Sequence, residues 1–253
     1  MSRVCNPVLE TPTIRYSVQP GGGFLDPRYM PGTRHAHPGI DLNDVRGGDS
    51  DLGNRVRAVA DGTVVAAGHY PDWGGIVLVH HPQLGVWTQY AHLTGIPVQA
   101  GQQVTMGDLV GHIGKGARNQ YWAHLHFEVR RSLLPPDFWA SNRFNAKGRA
   151  AAQTRRLAEA YIREHYLDPE AWLAEHQALR TLAEVEAARG ERRGGGVAVD
   201  VGTRAAPLNW YQLHDEAMRP LPGEWVSIVE NTRTGEKRIV KVGARKLREK
   251  GLA

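Results

Sequence analysis

The central part of the chain alternates apolar and polar residues in short runs separated by turn residues. From about residue 55 to 130, the runs VRAVADGTVVAAG, GGIVLVHH and VWTQYAHL predict β-strands, because successive side chains of a strand point to opposite faces. We expect the first run to fold back at Asp61-Gly62, a dipeptide suited to tight hairpins. With the following VQAGQQVTMGDLVGHIG, the pattern predicts a mainly antiparallel, sandwich-like β domain.

The pattern becomes helical in the C-terminal part of the chain. AAAQTRRLAEAYIREHY predicts one helix, and a second follows Asp168, with Pro169 at its first position and Glu170 in its first turn. We expect the second helix to continue through PEAWLAEHQALRTLAEVEAARG, and EWVSIVENTRTGEKRIVKVG to form a hairpin near Thr234-Gly235. The predicted organisation, α+β overall, is an irregular lead-in (1–29), the β domain (30–135), a helical region (146–192) and a small basic β region (197–253).

Composition narrows the class of protein. The hydrophobic and charged fractions, 41% and 23%, are ordinary for a globular chain. Cys5 is the one cysteine, which excludes an internal disulfide, and no apolar run predicts a membrane span or the core of a signal peptide. The net charge of +5 is mild, so nucleic acid binding is not expected.

The basic residues concentrate at the C-terminal end. From Arg233 onward there are eight basic residues against two acidic ones, Glu236 and Glu249. This end could attach to an anionic surface, or it could be a solvated tail or a packed strand, and the sequence leaves these alternatives open.

Histidines and an aspartate form two candidate metal motifs. In HLHFEV, a strand would point His124, His126 and Glu128 to one face and the intervening apolar residues to the other. An isolated His-x-His fits a solvated polar face as well as a metal site. The second motif, RHAHPGIDLN, places His37 and Asp41 around a Pro-Gly turn.

A turn of this kind can bring an imidazole and a carboxylate onto one ion. Together with one histidine of the strand, His37 and Asp41 would supply three ligands and leave a fourth position open, as in catalytic zinc sites. Nitrogen and oxygen ligands suit zinc without excluding other divalent metals. His35 also forms a His-x-His with His37, and the spacing alone does not reject it as a ligand.

HPGID, YAHL and HLHFEV, in this order, resemble the lysostaphin-type (LytM-like) zinc endopeptidases, which cut peptide cross-links in bacterial peptidoglycan. The resemblance implies a Zn²⁺ ion bound by His37, Asp41 and His126. It places His92 and His124 in the cleft as a catalytic pair. One of the two would accept the proton of the attacking water and the other would stabilise the oxyanion, and the sequence does not decide which.

Two segments depart from the pattern of that family. Tyr121-Trp122-Ala123 stands where the family has Gly-Pro before its last motif, and LNDVRGGDSDLGNR is longer and more acidic than usual. Both segments flank the expected cleft, so we expect them to affect substrate preference and not the metal chemistry.

The resemblance implies an enzyme that hydrolyses the peptides of bacterial peptidoglycan and acts at the cell wall. Since no signal peptide is visible, the protein would be virion-associated, released by lysis, or a mature secreted form. The basic C-terminus would then contact an anionic wall polymer or a virion component. The alternatives are a phage virion or tail-associated structural protein that carries the peptidase domain, and a non-catalytic wall-binding module.

Overall fold

A computed structural model describes residues 3–194, 224–230 and 237–243. The chain divides into two compact units, Met1–Gly196 and Val197–Ala253, and each is described by itself. No helix within the described ranges has the length and apolar character that crossing a membrane requires.

The first unit contains twelve strands and four helices among its described residues. Its strands are β1 (Cys5–Glu10), β2 (Tyr16–Val18), β3 (Ile40–Asp44), β4 (Arg55–Arg57), β5 (Gly62–Tyr70), β6 (Gly74–His81), β7 (Val86–Gly95), β8 (Gln103–Val104), β9 (Leu109–Ile113), β10 (Leu125–Arg130), β11 (Tyr166–Leu167) and β12 (Leu179–Thr181). Its helices are α1 (Ala140–Phe144), α2 (Ala151–His165), α3 (Pro169–Glu175) and α4 (Leu182–Gly194).

An antiparallel sheet carries most of this unit, which confirms the predicted mainly β architecture. Its strands follow the order β2-β3-β10-β7-β6-β5-β8, while β9 extends from β7 to β4 and β11 pairs with the end of β10. Strand β10 therefore lies between β3 and β7. Its Leu125, Phe127 and Val129 side chains are fully buried in the main hydrophobic core, as the alternation in HLHFEV predicts.

The expected hairpin at Asp61-Gly62 does not form. Strand β4 pairs with β9, whereas β5 pairs with β6 and β8. The buried segment between β4 and β5 finds its backbone partners elsewhere: Ala58 N donates to Asp108 O, and Val59 N donates to the Tyr90 hydroxyl. Asp-Gly is a local turn signal, and these distant partners outweigh it.

The lead-in predicted to be irregular contains two strands. β1 runs parallel to β12, with Cys5 opposite Leu179, and β2 pairs with β3 at the edge of the sheet. Cys5 and Val8 are buried. The strand partner of β1 lies far along the chain, so no local pattern around residues 5–10 could reveal the pairing.

The helical region is interrupted where one long helix was expected. Asp168 caps α3 as predicted, accepting from the backbone N–H groups of Glu170 and Ala171. Instead of continuing, α3 ends at Glu175, and a new helix begins after Thr181. Thr181 Oγ1 accepts from Glu184 N, and the Glu184 carboxylate accepts from Thr181 N, a capping box that the sequence TLAE already contained.

The described residues of the second unit form the predicted hairpin. Strands β13 (Glu224–Glu230) and β14 (Lys237–Gly243) are antiparallel, with Glu230 opposite Lys237. The predicted turn at Thr234-Gly235 lies outside the described residues.

Candidate metal centre

Three side chains converge where β3 pairs with β10. His37 Nε2 lies 3.0 Å from His126 Nδ1 and 3.2 Å from Asp41 Oδ1, and His126 Nδ1 lies 3.0 Å from Asp41 Oδ1. Within the described residues, this is the group whose ligand atoms are close enough to hold a metal ion. The structure thus brings together the three residues that the motifs select, and their role as metal ligands remains a prediction.

The HPGID turn is built to lie against β10. A Cβ atom on Gly39 would lie 2.3 Å from the Phe127 carbonyl oxygen, so only glycine allows this approach. Asp41 then pairs directly opposite His126 in the sheet. The turn thereby brings both His37 and Asp41 to Nδ1 of His126.

His35, the alternative ligand, does not join this cluster, and neither does the buried His81. A hydrogen bond of 2.8 Å joins His35 Nδ1 to Ser141 Oγ, and the His35 ring packs against Trp139. His81 is fully buried and bonds the Asp61 carbonyl and Thr88 Oγ1. The contacts of both histidines are with residues outside the cluster, which is typical of a structural role.

Hydrogen bonds on the far side of each ligand ring fix its tautomer. His37 donates Nδ1–H to the Gly23 carbonyl at 2.9 Å, which leaves a lone pair on Nε2. His126 donates Nε2–H to Glu128 Oε1 at 2.9 Å, which leaves a lone pair on Nδ1. Such partners orient the ligating histidines of metal sites. Two imidazole lone pairs and one carboxylate oxygen therefore face one point.

Three acceptor atoms so close together require a positive charge between them. Burial disfavours the charged form of His126, but its hydrogen bonds to Asp41 and Glu128 outweigh this and raise its pKa to about 9. Burial likewise opposes ionisation of Asp41, yet the adjacent His37 and His126 hold the pKa of Asp41 well below its usual range. A proton on His126 meets this requirement, and a divalent metal ion would displace it.

The donor set fits zinc. Ligands about 2.0–2.2 Å from a tetrahedral zinc ion lie about 3.3–3.6 Å from one another. The three separations of 3.0–3.2 Å need to open by only a few tenths of an ångström. His37 and His126 are buried, whereas the Asp41 side chain is 18% exposed, which leaves an open side toward solvent.

His92 and His124 line the same cleft. Their ring centroids are 4.8 Å apart, and His124 Nε2 lies 3.7 Å from Asp41 Oδ1. Each donates Nδ1–H to a backbone carbonyl, that of Trp73 for His92 and that of Trp122 for His124. Each therefore has a lone pair on Nε2, the form that a proton acceptor requires.

His92 is uncharged and has an uncommon backbone conformation. Burial, together with His124 and His126, lowers its pKa to about 3, so the ring is neutral near pH 7. Its backbone has a φ of +62°, a conformation that non-glycine residues seldom adopt and that often occurs at functional sites. The strand distorts here to present the ring to the cleft.

The two segments that depart from the family pattern are joined to each other. Asp49 accepts from Lys115 Nζ at 2.6 Å and from Ala123 N at 2.9 Å, so the acidic insertion holds the loop that precedes His124. On this loop, Tyr121 contacts the His92 ring, with 4.8 Å between centroids. Trp122 is 70% exposed. Tyr121 thus lies against the candidate histidines, on a loop that Asp49 holds.

Some contacts of the site could not be read from the sequence motifs. The Gly23 carbonyl reaches His37 through tertiary folding, and Tyr29 stacks on the His37 ring at 4.3 Å. Glu128 is different, because the alternation in HLHFEV already placed it on the same strand face as His126. Its hydrogen bond to His126 makes it a support for a candidate ligand.

Comparison with known proteins finds a family model that matches the part of the chain around this cleft. Residues 35–138 match the sequence model of Peptidase family M23, which confirms the resemblance that the three motifs indicate. The chain is 31% identical over 132 residues to the lipoprotein NlpD/LppB homolog of Pseudomonas aeruginosa, a match that covers 52% of this chain and 41% of that protein. It is 41% identical over 111 residues to the cell division protein DipM of Caulobacter vibrioides, covering 43% of this chain and 17% of that protein.

A solved structure described as a zinc-containing peptidase from Vibrio cholerae is 28% identical to this chain. The match covers 51% of this chain and 37% of that one, with a TM-score of 0.41. The chain spans less than half of the length of the two curated relatives named above.

Proposed function

We propose that this chain, whose residues 35–138 form a domain of peptidase family M23, is a zinc-dependent endopeptidase that hydrolyses peptide cross-links of bacterial peptidoglycan. The observation that carries the proposal is the convergence of His37 Nε2, Asp41 Oδ1 and His126 Nδ1 as three acceptor atoms. The cell-wall substrate is supported by the likeness of HPGID, YAHL and HLHFEV to the lysostaphin-type enzymes.

The ligands and the catalytic pair have separate tasks. His37, Asp41 and His126 would hold the ion. When bound, zinc polarises the scissile carbonyl and lowers the pKa of a water molecule from about 15.7 to about 7. His92 and His124 line the same space, and each donates Nδ1–H to a backbone carbonyl, so that its acceptor atom is Nε2. One accepts the water proton, and the other, once protonated, stabilises the negative charge that develops on the carbonyl oxygen.

Zinc content and wall lysis together distinguish this function from its alternatives. The enzyme should contain about one zinc ion per chain, as one three-ligand site predicts, and should reduce the turbidity of purified cell walls. A preparation that binds no zinc and leaves the walls intact would favour a virion structural protein. Zinc-free protein that still sediments with walls would favour a non-catalytic binding module.

The exposed Trp122 ring should contribute to substrate binding without taking part in the chemistry. It is 70% exposed on the loop held by Asp49, beside Tyr121 and the catalytic pair. For Trp122→Ala we expect KM to rise about tenfold with kcat nearly unchanged, as for the loss of about 1.4 kcal/mol of uniform binding. Steady-state kinetics on wall fragments measures both constants.

Leu182→Ala is the matched control, because Leu182 is 42% exposed at the start of α4, outside the M23 domain. It should leave both constants unchanged. A Trp122→Ala variant that loses kcat and keeps KM would contradict a role in binding alone.

We place the action of the enzyme at the bacterial cell wall, reached from a virion, by lysis or as a mature secreted form. The basic C-terminal end, with eight basic and two acidic residues from Arg233 on, would attach to an anionic wall polymer or a virion component. Electrostatic attachment weakens with salt, because the Debye length falls from about 10 Å at 0.1 M to about 3 Å at 1 M.

A chain truncated after Gly196, the end of the first compact unit, tests this attachment. It should hydrolyse soluble cross-linked peptides like the full chain but bind whole walls less well at low salt, as measured by co-sedimentation. A full-length control with Lys246, Arg248 and Lys250 changed to alanine should lose part of the same binding. If the truncated and full-length chains bind walls equally at low salt, the basic end has no role in attachment and is a solvated tail.

A further inference from the structure

A line of buried charged side chains extends from the metal centre along one face of β10. His126, Glu128 and Arg130 alternate with core residues, so they point to the same side of the strand. The Glu128 and Arg130 side chains are 0% exposed. Burying an ion pair in this way is costly and does not by itself stabilise a fold, so its position beside the metal centre needs a different explanation.

The Glu128 carboxylate holds a separate hydrogen-bond donor on each of its two oxygens. Oε1 accepts Nε2–H of His126 at 2.9 Å, and Oε2 accepts Nε–H of Arg130 at 2.6 Å. The Arg130 guanidinium is anchored in turn, because Nη1 donates to the carbonyls of Leu134 and Pro135, each at 3.2 Å. The line is therefore fixed at its far end by the backbone.

We infer that Glu128 and Arg130 are positioning residues that keep the Nδ1 lone pair of His126 directed at the metal. The inference rests on the proposed zinc site and adds to it the device that orients its buried ligand. The carboxylate requires hydrogen on His126 Nε2, and this excludes the tautomer that would carry hydrogen on Nδ1 and block the ion. Arg130 holds the carboxylate in place and compensates its buried charge.

Only a carboxylate can serve both neighbours. A carboxylate offers two acceptor oxygens, whereas an amide offers one acceptor and one donor. Glu128→Gln alone must turn its NH₂ group toward either His126 or Arg130, both of which are donors. If Arg130 is also changed to methionine, the amide oxygen is free to accept from His126.

The decisive comparison uses two double variants without the buried charges. Glu128→Gln/Arg130→Met keeps an acceptor for His126, and Glu128→Leu/Arg130→Met has none. We expect the first to bind zinc about 10–100-fold more tightly than the second, the loss typical of removing such a supporting partner. Glu128→Gln alone should bind more weakly than Glu128→Gln/Arg130→Met. Competition with a zinc chelator measures these affinities, and circular dichroism of the zinc-free proteins verifies folding.

Thr88→Val is the matched control. Thr88 is buried in β7 opposite Val129 and bonds His81 and Tyr90, so its loss weakens the same sheet without touching the line of charges. Its zinc affinity should stay within about twofold of the wild-type chain. Equal zinc affinities of the two double variants, or an equal loss in Thr88→Val, would overturn the inference. A wild-type chain that binds no zinc would overturn both the inference and the proposed function.

Discussion

Replacing Asp41 or His126 with alanine should remove bound zinc and abolish hydrolysis. The three convergent ligand atoms lie 3.0–3.2 Å from one another, and each change leaves only two of them. Structural zinc sites share about 10–16 kcal/mol among four ligands, so the loss of one should weaken binding by about 10²–10³-fold. Zinc titration against a chelator, followed by a wall-lysis assay at a fixed zinc concentration, measures both effects.

His35→Ala is the control for this prediction. His35 shares the His-x-His spacing with His37 but contacts Ser141 and Trp139 instead of the cluster. It should therefore keep its zinc, whereas His37→Ala should lose it. Zinc loss in His35→Ala, with retention in His37→Ala, would show that the ligand assignment is reversed.

Replacing His124 with alanine should separate metal binding from turnover. His124 Nε2 lies 3.7 Å from Asp41 Oδ1, outside the group of three ligand atoms, so the zinc content should not change. The loss of a group that transfers a proton or stabilises charge lowers kcat by about 10²–10⁴-fold. Parallel measurements of zinc content and of kcat on a soluble cross-linked peptide test the prediction.

His92 and His124, the proposed catalytic pair, should behave as a unit. His92→Ala should also keep zinc and lose turnover, and the double variant should be little worse than either single change, because effects within such a unit are not additive. His80→Ala is the control, since His80 stacks on Trp87 and lies in none of the contacts of the cleft described above. Metal loss in His124→Ala together with metal retention in His126→Ala would contradict the division of roles.

Much of the fold and of the candidate site could be predicted because the information is local. The alternation in HLHFEV places Leu125, Phe127 and Val129 in the core and leaves the opposite face to His126 and Glu128. Caps are also local, and Asp168 starts α3 as its sequence indicates. The TLAE capping box at Thr181 was equally visible in the sequence and would have divided the expected long helix.

The features that could not be predicted depend on distant partners. β1 was missed because its partner strand includes Leu179, and the Asp61-Gly62 hairpin fails because β4 pairs with β9. The hydrogen bond from His37 to the Gly23 carbonyl, which fixes the His37 tautomer, also depends on a distant partner. A sequence pattern reports which face a side chain occupies, whereas tertiary folding decides which backbone group it meets.

With zinc bound in the cleft, the chain should cut peptide bonds of the cell wall. Mass spectrometry of the fragments released from purified peptidoglycan of defined structure tests this prediction most directly. Cross-linked fragments should disappear and new peptide termini should form while the glycan bonds remain intact, and both changes should stop on chelation and in Asp41→Ala. Unchanged cross-links, cleavage within the glycan, or peptide cleavage that persists without metal would contradict it.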